Sequence, residues 1–123
     1  MEKLETIELN NIKYVREDQL HAEKAETLEG LPYVIIRTYS AGVHAGYLKS
    51  RDGKEVELLK SRRIYQWSGA STLSQLAQSG TSKPESCKFP EAVDRMILTE
   101  AIEILDVTKK AKKTIDAVEI WKS

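Results

Sequence analysis

The sequence predicts a single α+β domain, a curved antiparallel sheet or partial barrel of about five to seven strands with two or three short helices. Three observations lead to this prediction. Residues 33–67 alternate between apolar and polar side chains with the period of two that strands require. The links between the alternating segments are too short for the crossovers of a parallel sheet. The 123 residues, 41% of them hydrophobic and 31% charged, suffice for one compact domain.

The first 30 residues predict a β-hairpin followed by a helix. Two short alternating segments, 6–9 and 12–15, flank an Asn-Asn pair that tolerates the positive φ of a tight turn. A helix is then expected over residues 19–29, with an aspartate placed to cap it. Its apolar stripe is thin, so this segment is expected to lie on the surface or to contact another subunit. Residues 31–123 are expected to form the sheet-and-helix core.

Four strands are predicted next, as an antiparallel meander. The first two, 33–39 and 43–50, are joined by a bend of small residues. The other two, 55–59 and 62–67, follow an Asp-Gly pair, which is a strong hairpin signal. Three consecutive apolar residues, Val34–Ile36, predict that the first strand is central and buried on both faces.

A short helix, two more strands and a last helix are expected to complete the domain. Thr72 and Gln75 match a capping box and predict the first helix. Strands are expected at 93–98 and 101–107. Thr108 is expected to cap the last helix, whose inward-facing residues are Ala111, Ile115 and Val118.

Composition excludes several classes of function. The 19 basic and 19 acidic side chains balance, which is not typical of general nucleic-acid binding. No apolar run reaches the roughly 20 residues of a membrane span, and the charged N-terminal residues predict no secretion signal. A single cysteine and two histidines predict neither a disulfide nor a metal site, and no cofactor is expected.

The charges are unevenly distributed along the chain. Residues 1–30 hold four basic and eight acidic side chains, whereas residues 31–63 hold seven basic and three acidic ones. The basic segment is suited to attract a small anion, or the acidic first segment within a chain or between subunits, whereas charges scattered on a solvated surface are the simpler explanation. The same two interpretations apply to a lysine cluster on the last helix: Lys109, Lys110, Lys112 and Lys113.

One candidate binding stretch runs from Arg37 to Gly46. Two glycines and several small side chains around a strand bend allow backbone amides to approach a ligand closely. A strand arginine that shares a face with an aromatic ring can clamp a phosphate and stack a base. Alternatively, the arginine pairs with a glutamate and the glycines permit sheet curvature. The candidate ligand contacts are Arg37, Tyr39, Ser40, Gly42 and His44.

A second candidate stretch covers residues 62–72. Strand alternation places one arginine, a tyrosine and a tryptophan on one face, just before the amides of a helix N-terminus. The same aromatic residues are equally suited to the core, with the arginine lying across them. The candidate contacts are Arg62, Arg63, Tyr65, Trp67 and Ser71, and we expect them to join the first stretch in one pocket.

No catalytic residue is assigned. The sequence identifies neither an orienting carboxylate nor a nucleophile for His44. Glu100 and Glu103 are expected to point to opposite faces of an extended chain, so they do not form an acid/base pair. The sequence therefore predicts a protein that is not an enzyme, with a cyclic-nucleotide phosphodiesterase using His44 and Glu100 as the enzymatic alternative.

Several stretches resemble a family of small proteins encoded by tailed phages and prophages. They lie within residues 33–121: the run Arg-Thr-Tyr-Ser-Ala-Gly-Val-His-Ala-Gly at 37–46, and the segments 53–56, 62–70, 73–77 and 98–104. By analogy, small oligomeric phage proteins with a basic and aromatic pocket include the anti-Thoeris sponges of the Sequestin and Lockin groups. Those proteins bind cyclic ADP-ribose isomers or a histidine–ADP-ribose conjugate without cleaving them.

The resemblance implies a phage-encoded protein that sequesters a nucleotide-derived immune signal in the cytoplasm of the infected host. No binding motif of either sponge group maps onto this chain, so the candidate site comes from its residues alone. A homo-oligomer is expected, because small chains often complete such pockets across a subunit interface. The alternative is a protein-binding module that inhibits a host factor or assists phage assembly, with the acidic N-terminal segment as its interface.

Overall fold

The computed structural model describes residues 23–122, which form one five-stranded antiparallel sheet and two helices. The strands are β1 (Tyr33–Thr38), β2 (Val43–Asp52), β3 (Glu55–Arg63), β4 (Val93–Leu98) and β5 (Ala101–Asp106). Their order across the sheet is β4-β3-β2-β1-β5. The predicted α+β class with a curved sheet is therefore confirmed.

The connection between β4 and β5 shows how strongly the sheet curves. These strands lie at opposite edges, yet only Thr99 and Glu100 separate them in sequence. The Ala101 N–H donates to the carbonyl oxygen of Lys54 at 2.9 Å, so the chain passes beside the turn between β2 and β3 on its way from β4 to β5. Within residues 23–122 the two edge strands do not pair with each other, and the result is a partial barrel that is not closed.

The helices begin where the sequence places their caps. The Gln75 N–H donates to Thr72 Oγ1 at 3.1 Å, and the Ala111 N–H donates to Thr108 Oγ1 at 3.0 Å. Both predicted caps are confirmed. No helix in the described part of the chain is long and apolar enough to cross a membrane. The helices are α1 (Leu73–Ser79) and α2 (Lys109–Asp116), with a 3-10 turn at Pro84–Ser86.

Two hydrophobic clusters lie on the two faces of the sheet, and β1 contributes to both. Ile35 packs with Leu76 of α1 and Ile115 of α2 on one face. Its neighbours Val34 and Ile36 pack on the other face, inside the partial barrel. The prediction that this strand is central and buried on both faces is confirmed, because it pairs with β2 on one edge and β5 on the other and packs in a cluster on each face.

The predicted separate strand at 62–67 is wrong. β3 runs without interruption to Arg63, because the strand bends at Lys60 rather than ending there. Lys60 has a φ of 53°, and the register with β2 shifts nearby, as in a β-bulge. Beyond the strand, Gln66 makes only an isolated bridge, with Lys88.

The predicted helix over 19–29 is wrong for the residues that the structure describes. Residues 23–29 are not helical, and Lys24 bridges Thr108 instead. The Ala25 N–H donates to the Val107 carbonyl oxygen at 3.0 Å, which places the buried Ala25 side chain in the core. Tertiary pairing therefore overrides the weak helical pattern. Residues 19–22 and the predicted hairpin over 6–15 lie outside the described residues.

Candidate functional site

The loop between β1 and β2 is folded by Thr38, a buried residue at the end of β1. Its Oγ1 donates to the Gly42 carbonyl oxygen at 2.7 Å and accepts from the Ala41 N–H at 2.8 Å. Gly42 has a φ of 83°, a conformation that side chains disfavour. The tight turn leaves Tyr39 79% exposed and Ser40 exposed beside it.

Arg63 lies against this loop at the end of β3. Its Cα pairs with that of His44 in β2, and its Nη1 donates to the Ala41 carbonyl oxygen at 2.8 Å. A Cβ atom on Gly42 would lie 3.1 Å from the same Nη1, so the glycine leaves room for the guanidinium. The loop therefore fixes an exposed cation through a backbone carbonyl oxygen.

Two glutamates of the β4–β5 region face the other side of the loop. Arg37 Nε donates to Glu103 Oε1 at 3.0 Å, and Ser40 Oγ donates to Glu100 Oε1 at 2.5 Å. The pairing of Arg37 with a glutamate is the structural alternative that the sequence left open. Exposed pairs of this kind contribute only about 0–1 kcal/mol, so an anionic ligand can displace the carboxylates.

His44 lies beneath the loop and is fully buried. Its Nε2 is 2.8 Å from the Ala41 carbonyl oxygen, so Nε2 carries the proton and donates it. Nδ1 has no hydrogen-bond partner in the described structure. Burial lowers the pKa of His44 below 6.5, the hydrogen bond to Ala41 opposes that shift, and Arg63 reinforces it. The ring supports the loop from inside and does not reach its surface.

This buried histidine makes stability depend on pH. Because its pKa is lower in the folded than in the unfolded chain, the unfolded chain binds more protons below about pH 6.5. The contribution of neutral His44 to the free energy of unfolding is fully present above pH 6.5 and is lost as the pH falls toward the pKa of His44 in the folded chain. We expect the free energy of unfolding to fall by up to about 1.4 kcal/mol per pH unit in that window. Urea unfolding at pH 7.5, 6.5 and 5.5 measures it.

His44→Gln is the control for this pH dependence. Glutamine does not titrate, so the variant is expected to lose the part of the slope that the wild type shows between pH 6.5 and 5.5. Equal slopes in the two proteins would show that protonation of His44 does not determine the pH dependence.

Arg62 points to the opposite face of the sheet from Arg63. Its Nε donates to the Pro90 carbonyl oxygen at 3.0 Å, and its Nη1 donates to that of Ile115 at 3.1 Å. Its Nη2 donates to the carbonyl oxygens of Phe89 at 3.1 Å and Val118 at 2.6 Å. The guanidinium carbon also lies 5.3 Å from the centroid of the Phe89 ring. Arg62 thus ties the end of α2 to the sheet and is not part of the loop surface.

Tyr65 stacks on Trp121, an aromatic residue that lies outside both candidate binding stretches. Their ring centroids are 5.1 Å apart and the planes differ by 8°. Lys88 Nζ lies 5.5 Å from the centroid of the Trp121 ring, and the backbone N–H of Trp121 donates to the Phe89 carbonyl oxygen at 3.0 Å. Tyr65 remains 59% exposed, two residues beyond Arg63. Only the apolar Ile-Trp pair near the chain end signalled a contact there.

Trp67 packs against the core, and Ser71 contributes its backbone N–H to the start of α1. Trp67 is half-buried against the hydrophobic cluster that contains Ile35, and its Nε1 donates to the Ala70 carbonyl oxygen at 3.1 Å. The Ser71 N–H donates to Gln75 Oε1 at 2.8 Å, which completes the start of α1. Neither side chain lies on the surface around the β1–β2 loop.

The structure thus separates the candidate residues into two groups. Arg62 and Trp67 belong to the fold, Ser71 is exposed at the start of α1, and His44 lies under the loop. The other exposed candidates lie around the end of the sheet where β1, β2 and β3 meet, with Arg37 on the sheet face of Ile35 and Arg63 on the opposite face. We call this surface the arginine–tyrosine face, and it comprises Arg37, Tyr39, Ser40, Gly42, Arg63 and Tyr65.

The arginine–tyrosine face contains side-chain types that can bind phosphate and planar groups. Guanidinium groups donate in a planar fork that matches phosphate, and tyrosine rings stack on planar groups. Within residues 23–122, no three histidine, cysteine, aspartate or glutamate side chains are grouped so that they could hold a metal ion.

The fold and this face define a small α+β partial-barrel protein with cationic and aromatic side chains around one loop. The chain belongs to the family described as domain of unknown function DUF6948, whose sequence model matches residues 31–115. The match covers the whole described sheet and most of α2. No curated protein and no solved structure matches the chain.

Proposed function

We propose that the protein binds a nucleotide-derived anion at the arginine–tyrosine face and sequesters it without cleaving it. The observation that supports this proposal is a guanidinium anchored on the β1–β2 loop, with two exposed tyrosines in the adjoining parts of the chain. Tyr39 of the loop is 79% exposed and Tyr65, two residues after Arg63, is 59% exposed, and the Ala41 carbonyl oxygen accepts a hydrogen bond from Arg63. Exposed aromatic side chains next to a fixed cation are typical of surfaces that bind planar, phosphorylated ligands.

Each group has a defined task in this proposal. Within the described structure, one N–H of the Arg63 guanidinium donates to the Ala41 carbonyl oxygen of the loop, and its other N–H groups donate to a phosphate of the ligand. A base or ribose stacks on Tyr39 or Tyr65, and the Ser40 hydroxyl adds a polar contact. Sequestration is stoichiometric, so it needs affinity and no catalytic group.

The resemblance to tailed-phage proteins supports a more specific version of the proposal. In the cytoplasm of an infected bacterium, the ligand would be an immune signal such as a cyclic ADP-ribose isomer. The arginine–tyrosine face is an open surface, and tight binding of a small molecule usually requires enclosure on several sides. We therefore propose that a second copy of the chain covers the face and completes a homo-oligomeric pocket.

A protein-binding module is the second candidate, and exposed apolar residues on the edge strands favour it. Val93 and Ile97 of β4 are 43% and 45% exposed, and Ile102 of β5 is 47% exposed. Such side chains are suited to bind a host factor or a phage assembly partner. In that case nucleotides would leave the stability of the protein unchanged.

Thermal-shift measurements with ADP-ribose, its cyclic isomers and cyclic dinucleotides test the proposed function. A ligand at a hundred times its dissociation constant stabilises the folded protein by about 2.7 kcal/mol, which gives a shift of several degrees. Mass spectrometry of the ligand after denaturation is expected to recover it intact. Recovery of a cleaved product would identify an enzyme, and no shift with any compound would favour the protein-binding module.

Arg63→Ala is expected to weaken the binding of such a ligand at least tenfold. A charge-assisted hydrogen bond contributes about 1.5–3 kcal/mol, and a tenfold change corresponds to about 1.4 kcal/mol. Arg51→Ala is the matched control, because Arg51 is also exposed and also donates to one nearby carbonyl oxygen, that of Gly53 at 3.0 Å. It removes the same charge away from the face. If both variants bind equally well, Arg63 does not contact the ligand.

A further inference from the structure

Two adjoining cavities flank α2 at the opposite end of β1 and β2 from the arginine–tyrosine face. The first, of about 270 Å³, lies between residues 25–27, Tyr47 and the side of α2. The second, of about 340 Å³, extends past Glu23. They share the side chains of Lys109 and Lys113 in their walls. The second cavity by itself reaches the lower end of the volumes of small-molecule sites, about 300–1,000 Å³.

The lysines of α2 gather on this side because of helical spacing. Lys109, Lys112 and Lys113 are separated by three and four residues, so they share one face of the helix. The buried face of the same helix, with Ala111 and Ile115, fixes this orientation against the core. The lysine cluster noted in the sequence thus lines a concave surface rather than a flat, solvated one.

Lys112 is held in place at the wall of the first cavity. Its Nζ donates to Asp116 Oδ2 at 2.6 Å, and it lies 4.9 Å from the ring centroid of Tyr33 and 5.9 Å from that of Tyr47. Burial alone would lower the pKa of Lys112, but the hydrogen bond and charge of Asp116 outweigh it and raise the pKa. A fixed positive charge therefore lies beside the two exposed lysines.

The cavity walls also contain hydrogen-bond acceptors. Glu26, Thr27 and Asp116 line the first cavity together with Lys109 and Lys113. Carboxylates accept hydrogen bonds from hydroxyl groups, whereas they repel a bare polyanion. A ligand with one phosphate and several hydroxyls matches this mixture of charges better than inorganic polyphosphate does.

We propose that the α2 cavity binds a sugar phosphate, with the phosphate on Lys109 and Lys113 and the sugar hydroxyls toward Glu26. This site does not depend on the proposed function, because the two sites share no residue. The Tyr33–Tyr47 pair lies five residues along β1 from Thr38, a separation of about 17 Å. A single sugar phosphate cannot span that distance.

Calorimetric titration with ribose 5-phosphate tests the proposal. The wild type is expected to bind it saturably and to bind ribose and inorganic phosphate at least tenfold more weakly. The double variant Lys109→Ala/Lys113→Ala is expected to weaken binding at least tenfold. Its matched control is Lys54→Ala/Lys83→Ala, which removes the same charge at exposed positions outside α2 and is expected to keep the affinity within twofold.

A second measurement keeps the proposal falsifiable if the α2 double variant is unstable. In the wild type, amide NMR signals of residues 25–27 and 109–113 are expected to shift with ribose 5-phosphate, and those of residues 39–42 are expected to stay unchanged. No saturable binding, or equal weakening in both double variants, would overturn the proposal. Loss of ribose 5-phosphate binding in Arg63→Ala would also overturn it, because that result would show that the ligand binds at the arginine–tyrosine face.

Discussion

Arg62→Ala is expected to lower the free energy of unfolding by about 3 kcal/mol, because it removes the donor to four carbonyl oxygens at once. Those oxygens belong to Phe89, Pro90, Ile115 and Val118, so the loss separates the end of α2 from the sheet. Hydrogen bonds to a charged group contribute about 1.5–3 kcal/mol each, but partial exposure lets water replace some of them. Urea and thermal unfolding measure the effect, and the melting temperature is expected to fall by roughly 10 °C.

Two further variants show that the effect comes from the position and not from loss of an arginine. Arg63→Ala, one residue along, is expected to cost less than about 0.5 kcal/mol, because that side chain is exposed and contacts one carbonyl in the described structure. The loss of stability in Arg62→Lys is expected to lie between those of the two alanine variants, since an ammonium group keeps the charge but cannot reach all four oxygens. Equal destabilisation by the two alanine variants would contradict this role of Arg62.

The contrast between Arg62 and Arg63 shows what the sequence was able to predict. Strand alternation correctly placed the two side chains on opposite faces, because that rule depends only on neighbouring residues. It gave no means of deciding which face binds a ligand. The partners of Arg62 lie 27 to 56 residues away along the chain, and only the folded structure brings them together.

The same distinction separates the confirmed elements from the missed ones. The caps at Thr72 and Thr108 depend on contacts three residues apart, and both are confirmed. The bulge at Lys60 depends on pairing with β2, so the sequence alone suggested a break there. The stacking of Tyr65 on Trp121 joins positions more than fifty residues apart, and spacing within one segment does not reveal it.

Gly69→Ala is expected to be about as destabilising as Arg62→Ala. Gly69 has a φ of 83°, and a Cβ atom there would lie 2.6 Å from the Lys83 backbone nitrogen and 2.8 Å from that of Ser82. The Gly69 carbonyl oxygen also accepts from the Ser82 N–H at 3.1 Å, so the clash would force apart two segments that are bonded to each other. Backbone strain of about 1–2 kcal/mol and overpacking of about 1–3 kcal/mol give a loss of roughly 3 kcal/mol in urea unfolding.

Gly53→Ala separates the two contributions. Gly53 also has a positive φ, of 63°, but no atom lies within 4 Å of the position that its Cβ would occupy. This variant is expected to show the backbone strain alone, about 1 kcal/mol. The difference between the two variants then measures how closely the 81–83 segment approaches the turn after β3. If Gly69→Ala costs no more than Gly53→Ala, that approach has to be looser than the structure shows, and Gly69 is required only for its backbone conformation.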